Sequence, residues 1–436
     1  MSRRPAGRRL STQVAIVGAG PAGLVLACAL GRVGVDALVL ERHPREVVER
    51  RPRAGLLEPR VVAYLRSLGL ADRLLVEGTR HGWCDFLCRG ERLRVDYAAH
   101  SGGLRHWVYP QQSLVRDLVA ALCGAGRPPL FGRPVTAVPA PATGRPRVEC
   151  AGLEIDCEYV VGCDGAHGVT GDALPRALSG RGVRRYPYDW LTVLAEVDRP
   201  VAGVLYALHE EGFAGLMPRS HHVARLYLQV PAGDDPARWP APRIHERLRV
   251  RLAGVVGELP RIGRVTGTGV LRMRSSIRDH LVSGRLLLAG DAAHVLTPSG
   301  AKGMNLAIAD AAELAHAFAR RYLDGDRQGL AAYAARRLPH VHATQRFSDR
   351  LLRLLHLSPR DLHDPPRALA LRAAEIRRLT EPGRHATAFA RQYVGAGPEL
   401  PPLPAATARG VRSGAWPTAA RPGPVHASHT TQTGDD

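Results

Sequence analysis

Val14-Ala15-Ile16-Val17 is a short apolar run of the kind buried in a parallel sheet, and it feeds directly into Gly18-Ala19-Gly20-Pro21-Ala22-Gly23. An Ala/Leu-rich stretch follows, helical in pattern to about Gly34. A second apolar run, Ala37-Leu38-Val39-Leu40, then ends in Glu41. This order makes a βαβ unit with the spacing of a dinucleotide fingerprint. The glycines permit the tight turn and let the backbone approach a pyrophosphate, whose charge the helix N-terminus favours. Glu41 stands where an acid accepts ribose hydroxyls. Three glycines alone would say little, but the flanking strand, helix and acid predict an α/β, Rossmann-like domain.

A related element lies about 270 residues further on. Leu286-Leu287-Leu288-Ala289 reads as a strand, runs into Gly290-Asp291, and leads to an Ala/Leu-rich helix from about Met304. Between them stands Lys302, the only lysine in the chain; every other member of the 60 Lys+Arg positions is arginine. A GC-rich codon bias explains the arginines. A lysine surviving in this Gly-rich turn suggests a site that wants a compact ammonium, although chance is the simpler explanation. A third strand ends in Asp-Gly within Tyr159-Val160-Val161-Gly162-Cys163-Asp164-Gly165-Ala166-His167-Gly168. No second fingerprint follows a strand. Gly124-Ala125-Gly126 runs into Arg127-Pro128-Pro129, and Gly267-Thr268-Gly269 has no helix behind it. A separate nicotinamide domain is therefore not expected.

Composition narrows the class. At 436 residues and 45% hydrophobic, the chain can bury one large core or two modest ones. No apolar run approaches the ~20 residues of a membrane span, and the basic start lacks the apolar region of a signal peptide. The seven cysteines are odd in number and scattered, and Cys84 and Cys88 lack a second ligand pair. Reduced thiols in a cytoplasmic protein are expected, with no metal. The +20 net charge invites nucleic acid, but the arginines are dispersed without aromatic interleaving or a recognisable module, so neither a nucleic-acid nor a membrane partner is expected.

With these elements in this order, the chain resembles the 4-hydroxybenzoate 3-monooxygenase family, single-component FAD-dependent aromatic hydroxylases. The likeness runs from about Thr12 to Gly395. It includes Arg53-Ala54-Gly55, Tyr109-Pro110-Gln111, Leu205-Tyr206-Ala207, Arg225-Leu226-Tyr227-Leu228-Gln229-Val230 and Gln392-Tyr393-Val394-Gly395. The resemblance implies FAD held by Gly18, Gly20, Gly23, Glu41, Arg53, Gln111, Asp164 and Asp291, the last on the ribityl chain. It implies that Lys302 and Asn305 support the flavin's developing negative charge together with the helix N-terminus, and that Arg225 governs movement of the flavin ring. Arg42, His43, Arg51, His167 and Arg274 fall where the family binds NADPH, with NADH as the alternative; O2 is the other co-substrate.

For the substrate, a small aromatic carboxylate, the resemblance implies that Arg219 and Tyr227 bind the carboxylate and that Pro298 touches the substrate. Tyr206, Tyr393 and His81 would form a proton relay from the substrate phenol. The flavin-activated oxygen is an electrophile, so a phenolate ring attacks it better than a phenol. Phenols with pKa near 10 can pass a proton toward a near-neutral imidazole.

Three positions depart from the family. Met217 stands where the family has a serine that assists the carboxylate, and Gly215 where it has a leucine that packs on the ring. Val47 replaces a tyrosine that contacts NADPH. Losing a hydrogen bond to a charged group costs roughly 1.5–3 kcal/mol. These changes suggest a pocket reshaped for a substituted para-hydroxybenzoate, for instance an amino-substituted one.

The expected organisation is a basic extension (1–11) and an FAD-binding domain with interleaved substrate-domain strands (12–180). A β-sheet substrate domain (181–275), a second FAD-binding part with C-terminal helices (276–395) and a disordered tail (396–436) follow. A homodimer is left open. On the same fold, a flavin halogenase or isoprenoid reductase is the enzyme rival, though the halogenase Trp-x-Trp-x-Ile-Pro motif is missing. A basic flavoprotein that binds nucleic acid is the non-enzymatic one.

Overall fold

The ends of four adjacent parallel strands bring the sequence motifs together. Leu286–Leu288, Leu153–Gly162, Arg8–Val17 and Ala37–Leu40 lie side by side in one seven-stranded sheet of the computed structural model. In register, Val17 faces Leu40 on one side and Gly162 on the other, and Gly162 faces Leu288. The four strands therefore stop on one line, and Gly18-Ala19-Gly20, Glu41, Cys163-Asp164 and Gly290-Asp291 emerge along it. A crevice outside the carboxyl ends of parallel strands is where open α/β sheets bind ligands. The structure describes residues 8–51, 53, 55–139, 144–253 and 259–404.

These strands are apolar throughout because both faces are covered. Helix Pro21–Arg32, helix Gln111–Gly124 and the long helix Lys302–Leu323 share their core, with Val14, Ile16, Leu24, Leu114 and Ile308 fully buried. The expected basic extension is shorter at its described end, because Arg8 to Ser11 already pair with Leu153 to Asp156. At the other end, Leu400 and Leu403 pack on this core and Pro402 accepts a hydrogen bond from His316. The expected tail is thus anchored where it is described; 405–436 lies outside the described residues.

A second seven-stranded sheet, mostly antiparallel, runs in the order Ile262–Leu271, Tyr188–Val197, Val223–Pro231, Ala214–Pro218, Val204–Leu208, Cys84–Cys88 and Glu91–Val95. Its period-two alternation sorts side chains cleanly. Leu205, Leu216, Leu226 and Leu228 pack on helix Ala241–Arg251. Tyr206, Phe213, Met217 and Tyr227 face the other way, toward the C-terminal helices Tyr333–Leu355, Pro365–Thr380 and Arg384–Tyr393. Among the described residues, no helix is long and apolar enough to cross a membrane, and no His/Cys/Asp/Glu group could hold a metal ion.

Candidate active site

A cleft of about 520 Å³ lies between the parallel strand ends and the site face of the antiparallel sheet. Its parallel-sheet end is built from backbone. Gly18 has φ +109°, and a Cβ there would sit 2.3 Å from the Cys163 carbonyl oxygen; one at Gly23 would sit 2.1 Å from the Gly18 oxygen. Both glycines are needed to bring turn, helix and neighbouring strand together. Gly20 has nothing within 4 Å of its Cβ direction, which leaves its side of the turn open. Helix Pro21–Arg32 begins with no side-chain cap and no acid in its first turn, so its first N–H groups remain for an anion. Glu41 accepts from the Ala19 and His43 backbone N–H groups, each at 2.9 Å, and still lines the cleft.

The Gly290-Asp291 turn is held from beneath. The buried Asp310 carboxylate accepts from Gly290 N at 2.9 Å, His294 Nε2 at 2.6 Å and Arg337 Nε at 2.7 Å. This network leaves Asp291 exposed at the cleft. Asp164 also lines the cleft. Its carboxylate accepts from the Thr170 backbone N–H and hydroxyl, which pins its loop.

Lys302, which lines the cleft, and Asn305 are both bonded within the protein. Lys302, 2% exposed, pairs with Glu58 at 2.8 Å and donates to the Tyr393 carbonyl at 2.6 Å. Burial lowers its pKa while Glu58 opposes that. Burial alone would raise the Glu58 carboxyl, but Lys302 and Arg60 hold it below its usual value. Asn305, the chain's only asparagine, accepts from Glu58 N and donates to the Leu56 and Ala301 carbonyls. The sole lysine and sole asparagine therefore clamp the 56–58 segment to the head of helix Lys302–Leu323. The Lys302 charge is balanced within the protein, and the Asn305 side chain is fully engaged.

Arginine dominates the middle of the cleft. Arg219 donates to the Arg53 carbonyl at 2.9 Å and to Gln112 Oε1 at 3.1 Å. Desolvation and the neighbouring Arg225 charge lower its pKa. Desolvation likewise lowers the Arg53 pKa, helped by Arg51 and Arg225. The Arg225 Nε is buried with no partner among the described residues. Crowded guanidinium groups of this kind call for an anion. With the open Gly20 turn and the uncapped helix, they fit a bound FAD and an acidic substrate.

The antiparallel sheet supplies the far wall. Gly215 lies between Tyr206 and Tyr227 in register, and Met217 lies opposite Arg225. A Cβ on Gly215 would fall 3.0 Å from Phe213, 3.3 Å from Met217 and 3.4 Å from Tyr227, so little room is left there for a larger side chain. Trp190 backs this wall, stacked on Phe213 at 4.8 Å and donating to His356 Nε2 at 2.8 Å. His356 gives its other nitrogen to the Leu352 carbonyl, and burial pushes its pKa down to about 3, so it stays neutral.

Tyr206 and Tyr393, far apart in sequence, meet at 2.9 Å between hydroxyl oxygens, both buried. Burial raises both their pKa values. His81 is buried behind them, its pKa lowered by desolvation, and its Nδ1 has no partner among the described residues. Its backbone carbonyl accepts from Tyr97, a residue that no sequence motif marks.

Gly18, Gly20, Gln111, Pro298, Met217, Arg219, Tyr227 and Tyr206 line the cleft, as do Arg42, His43, Arg51 and Arg274 at its rim. His167 lies outside it but bonds Arg274 at 2.7 Å. Tyr393, His81, Gly215, Gly23 and Asn305 stand behind the lining. Glu58, Gln112, Trp190, Asp310 and His356 join the site without a sequence signal, because each acts through a partner distant in sequence. Ala54 lies outside the described residues.

Residues 11–348 match the family described as FAD binding domain. A p-hydroxybenzoate hydroxylase from Acinetobacter baylyi is 34% identical over 351 residues, covering 80% of this chain and 87% of that protein. A dialkyldecalin synthase from Streptomyces rugosporus is 29% identical over 321 residues; these cover 70% of this chain but only 64% of that longer protein. Among solved structures, a p-nitrophenol 4-monooxygenase from Pseudomonas putida matches with a TM-score of 0.73 at 20% identity, covering 89% of this chain and 97% of that one. At that identity the likeness speaks for the fold alone.

Proposed function

The chain belongs to the FAD binding domain family and, within it, to the flavin-dependent aromatic hydroxylases related to p-hydroxybenzoate hydroxylase; from that premise we propose that it hydroxylates 4-hydroxybenzoate, or a ring-substituted para-hydroxybenzoate, ortho to the phenol. The observation that carries this function is the buried Tyr206–Tyr393 pair, 2.9 Å apart, at the end of an arginine-lined cleft. FAD, when bound, supplies the reduction of O2 and the electrophilic oxygen.

The chain's own residues do the rest. Arg219 anchors the carboxylate with Tyr227; its bonds to Arg53 and Gln112 use only part of a five-donor guanidinium. Tyr206 receives the phenol proton and passes its own to Tyr393. Burial disfavours a charge on either tyrosine, so the proton moves on rather than resting there. NADPH docks at the rim, where Arg42, His43, Arg51 and Arg274 suit a 2′-phosphate; NADH is the alternative. The seven cysteines, all unpaired, suit a reducing cytoplasm.

The wall at Met217 favours the substituted substrate. A thioether accepts hydrogen bonds weakly and donates none, so it can meet a ring amino group but cannot assist a carboxylate. Gln112 offsets the lost donor. An arginine can only donate, so the Gln112 oxygen faces Arg219 and its amide N–H2 is left for the cleft.

Tyr206→Phe tests the assignment. Hydroxylated product per NADPH is expected to fall on the order of a hundredfold, with peroxide in its place and flavin reduction preserved. Unchanged product yield would refute it.

A further inference from the structure

Behind the tyrosine pair stands a second buried histidine that the relay, as derived so far, does not use. Strands Thr79–His81 and His106–Val108 pair antiparallel with His81 directly opposite His106, which places both imidazoles on one face. They are 5% and 1% exposed. Tyr97 joins them: its hydroxyl lies 2.7 Å from the His81 carbonyl and 3.2 Å from His106 Nδ1. The Tyr97 ring packs on Tyr393 at 4.9 Å between centroids, and His106 meets the same Tyr393 ring edge-on at 5.5 Å.

The hydrogen count at Tyr97 is informative. Its single phenolic hydrogen can go to the His81 carbonyl or to His106, not to both. In the first case His106 Nδ1 carries a hydrogen and donates to the Tyr97 oxygen, leaving the lone pair on Nε2. In the second, Nδ1 accepts and Nε2 carries the hydrogen. The imidazole thus has two neutral forms, and moving between them carries a proton through the ring without charging it. His106 Nε2 and His81 Nδ1 are both buried with no partner among the described residues. Imidazoles kept only for packing would normally have such nitrogens satisfied.

We propose that Tyr97 and His106 act through Tyr393 to carry the substrate's phenolic proton onward, sharing with His81 the inner end of the proton path. This rests on the hydroxylase function. The substrate O–H bond breaks and a phenolate forms. Tyr206, Tyr393 and Tyr97 each take up one proton and give one up, the step from Tyr393 to Tyr97 passing through a bridging water because only their rings are in contact. His106 gains a proton at Nδ1 as it releases one from Nε2, and that proton reaches His81, and then solvent, through a bridging water, since the two imidazoles are not hydrogen-bonded to each other. No electrons are transferred. The groups facing His106 are Tyr97, Tyr393, His81, Lys302 and Glu58. Burial and the Lys302 charge push its pKa down to about 3, with Glu58 opposing. A ring that resists charging is suited to passing a proton and unsuited to storing one.

The experiment uses the FAD-loaded enzyme mixed with 4-hydroxybenzoate in a stopped-flow instrument. Phenolate absorbance of the bound ligand is followed across pH for wild type, Tyr97→Phe and His106→Gln. Flavin reduction by NADPH and flavin content are measured alongside. Both variants are expected to slow phenolate formation on the order of tenfold, to shift its pH profile and to lower product per NADPH, while flavin content and reduction hold. Adding His81→Asn to Tyr97→Phe should slow phenolate formation no further than the slower single variant. Phenolate kinetics and a pH profile like wild type in both variants would overturn the proposal. So would reduction and hydroxylation falling in equal proportion, the mark of a packing role. Wild type that forms no phenolate with any para-hydroxybenzoate would instead refute the hydroxylase function itself.

Discussion

The two sheets build their ends of the cleft from different material. At the parallel edge the work is done by backbone: a turn with φ +109° at Gly18, an uncapped helix and strand ends held in register. On the antiparallel sheet it is done by side chains that alternate along each strand and line up across strands, Tyr206 with Gly215 and Gly215 with Tyr227. A cradle made of backbone tolerates few residues and serves one cofactor. A wall made of side chains can be rebuilt residue by residue, and Met217 and Gly215 are where we propose that it has been.

That contrast breaks first at the glycines. Gly18→Ala drives a Cβ against the Cys163 carbonyl in a left-handed conformation, costing about 3 kcal/mol. Purified protein should be colourless, with FAD affinity down on the order of a hundredfold by flavin titration. Gly20→Ala meets nothing within 4 Å, so it should keep the apoprotein's melting temperature while still weakening FAD. If both variants behave alike, the division between fold-building and ligand-facing glycines is wrong.

Lys302→Met comes next, leaving Glu58 buried without its ammonium. Arg60 stays 2.9 Å from the carboxylate, so a loss of about 3 kcal/mol in unfolding free energy, the low end for a broken buried pair, is expected, partly restored when Glu58→Gln is added. A variant as stable as wild type would mean the pair is not closed within the protein. A related loss should appear on acidification. His106 and His356 have folded pKa values of about 3, below the ~6.5 of an unfolded histidine. The unfolded chain therefore binds protons first, and stability is present above pH ~6.5 and lost as pH falls from there toward 3. Thermal melts across that window should show the decline, and His356→Gln should flatten it.

The wall gives the smallest effect. Met217→Ser restores one donor, worth roughly 1.5 kcal/mol. The preference for 4-hydroxybenzoate over its amino-substituted analogue should rise about tenfold in kcat/KM. An unchanged ratio would show that Met217 does not set the substrate.

How much was legible follows the same division. The fingerprint, the Gly290-Asp291 turn and the helix behind it were readable because each is a local run whose glycines and apolar spacing dictate its conformation. Tyr206 and Tyr393 were paired through resemblance, and they do meet. Lys302 and Asn305 were singled out by their local segment, but their partner Glu58 lies 244 positions from the lysine, and no local pattern announces it. Asp164 was legible as a cleft residue from its Asp-Gly motif, but Thr170, which holds its carboxylate, was not marked. Tyr97, His106 and Gln112 come into reach only through strand register and the packing of separate elements. The space at Gly215 could not be judged from its own side chain, since Phe213 and Met217 fill it.

The most direct measurement is substrate-stimulated NADPH oxidation by the wild-type, FAD-loaded enzyme across a panel of para-hydroxybenzoates, plain, amino-substituted and lacking the carboxylate, with products identified by mass. Stimulation should require both the carboxylate and the free phenol, and the product should gain one oxygen atom ortho to the hydroxyl, with a substituted member of the panel turned over best. Equal stimulation by analogues without the carboxylate or the phenol, or NADPH consumption with no oxygenated product from any of them, would contradict the assignment.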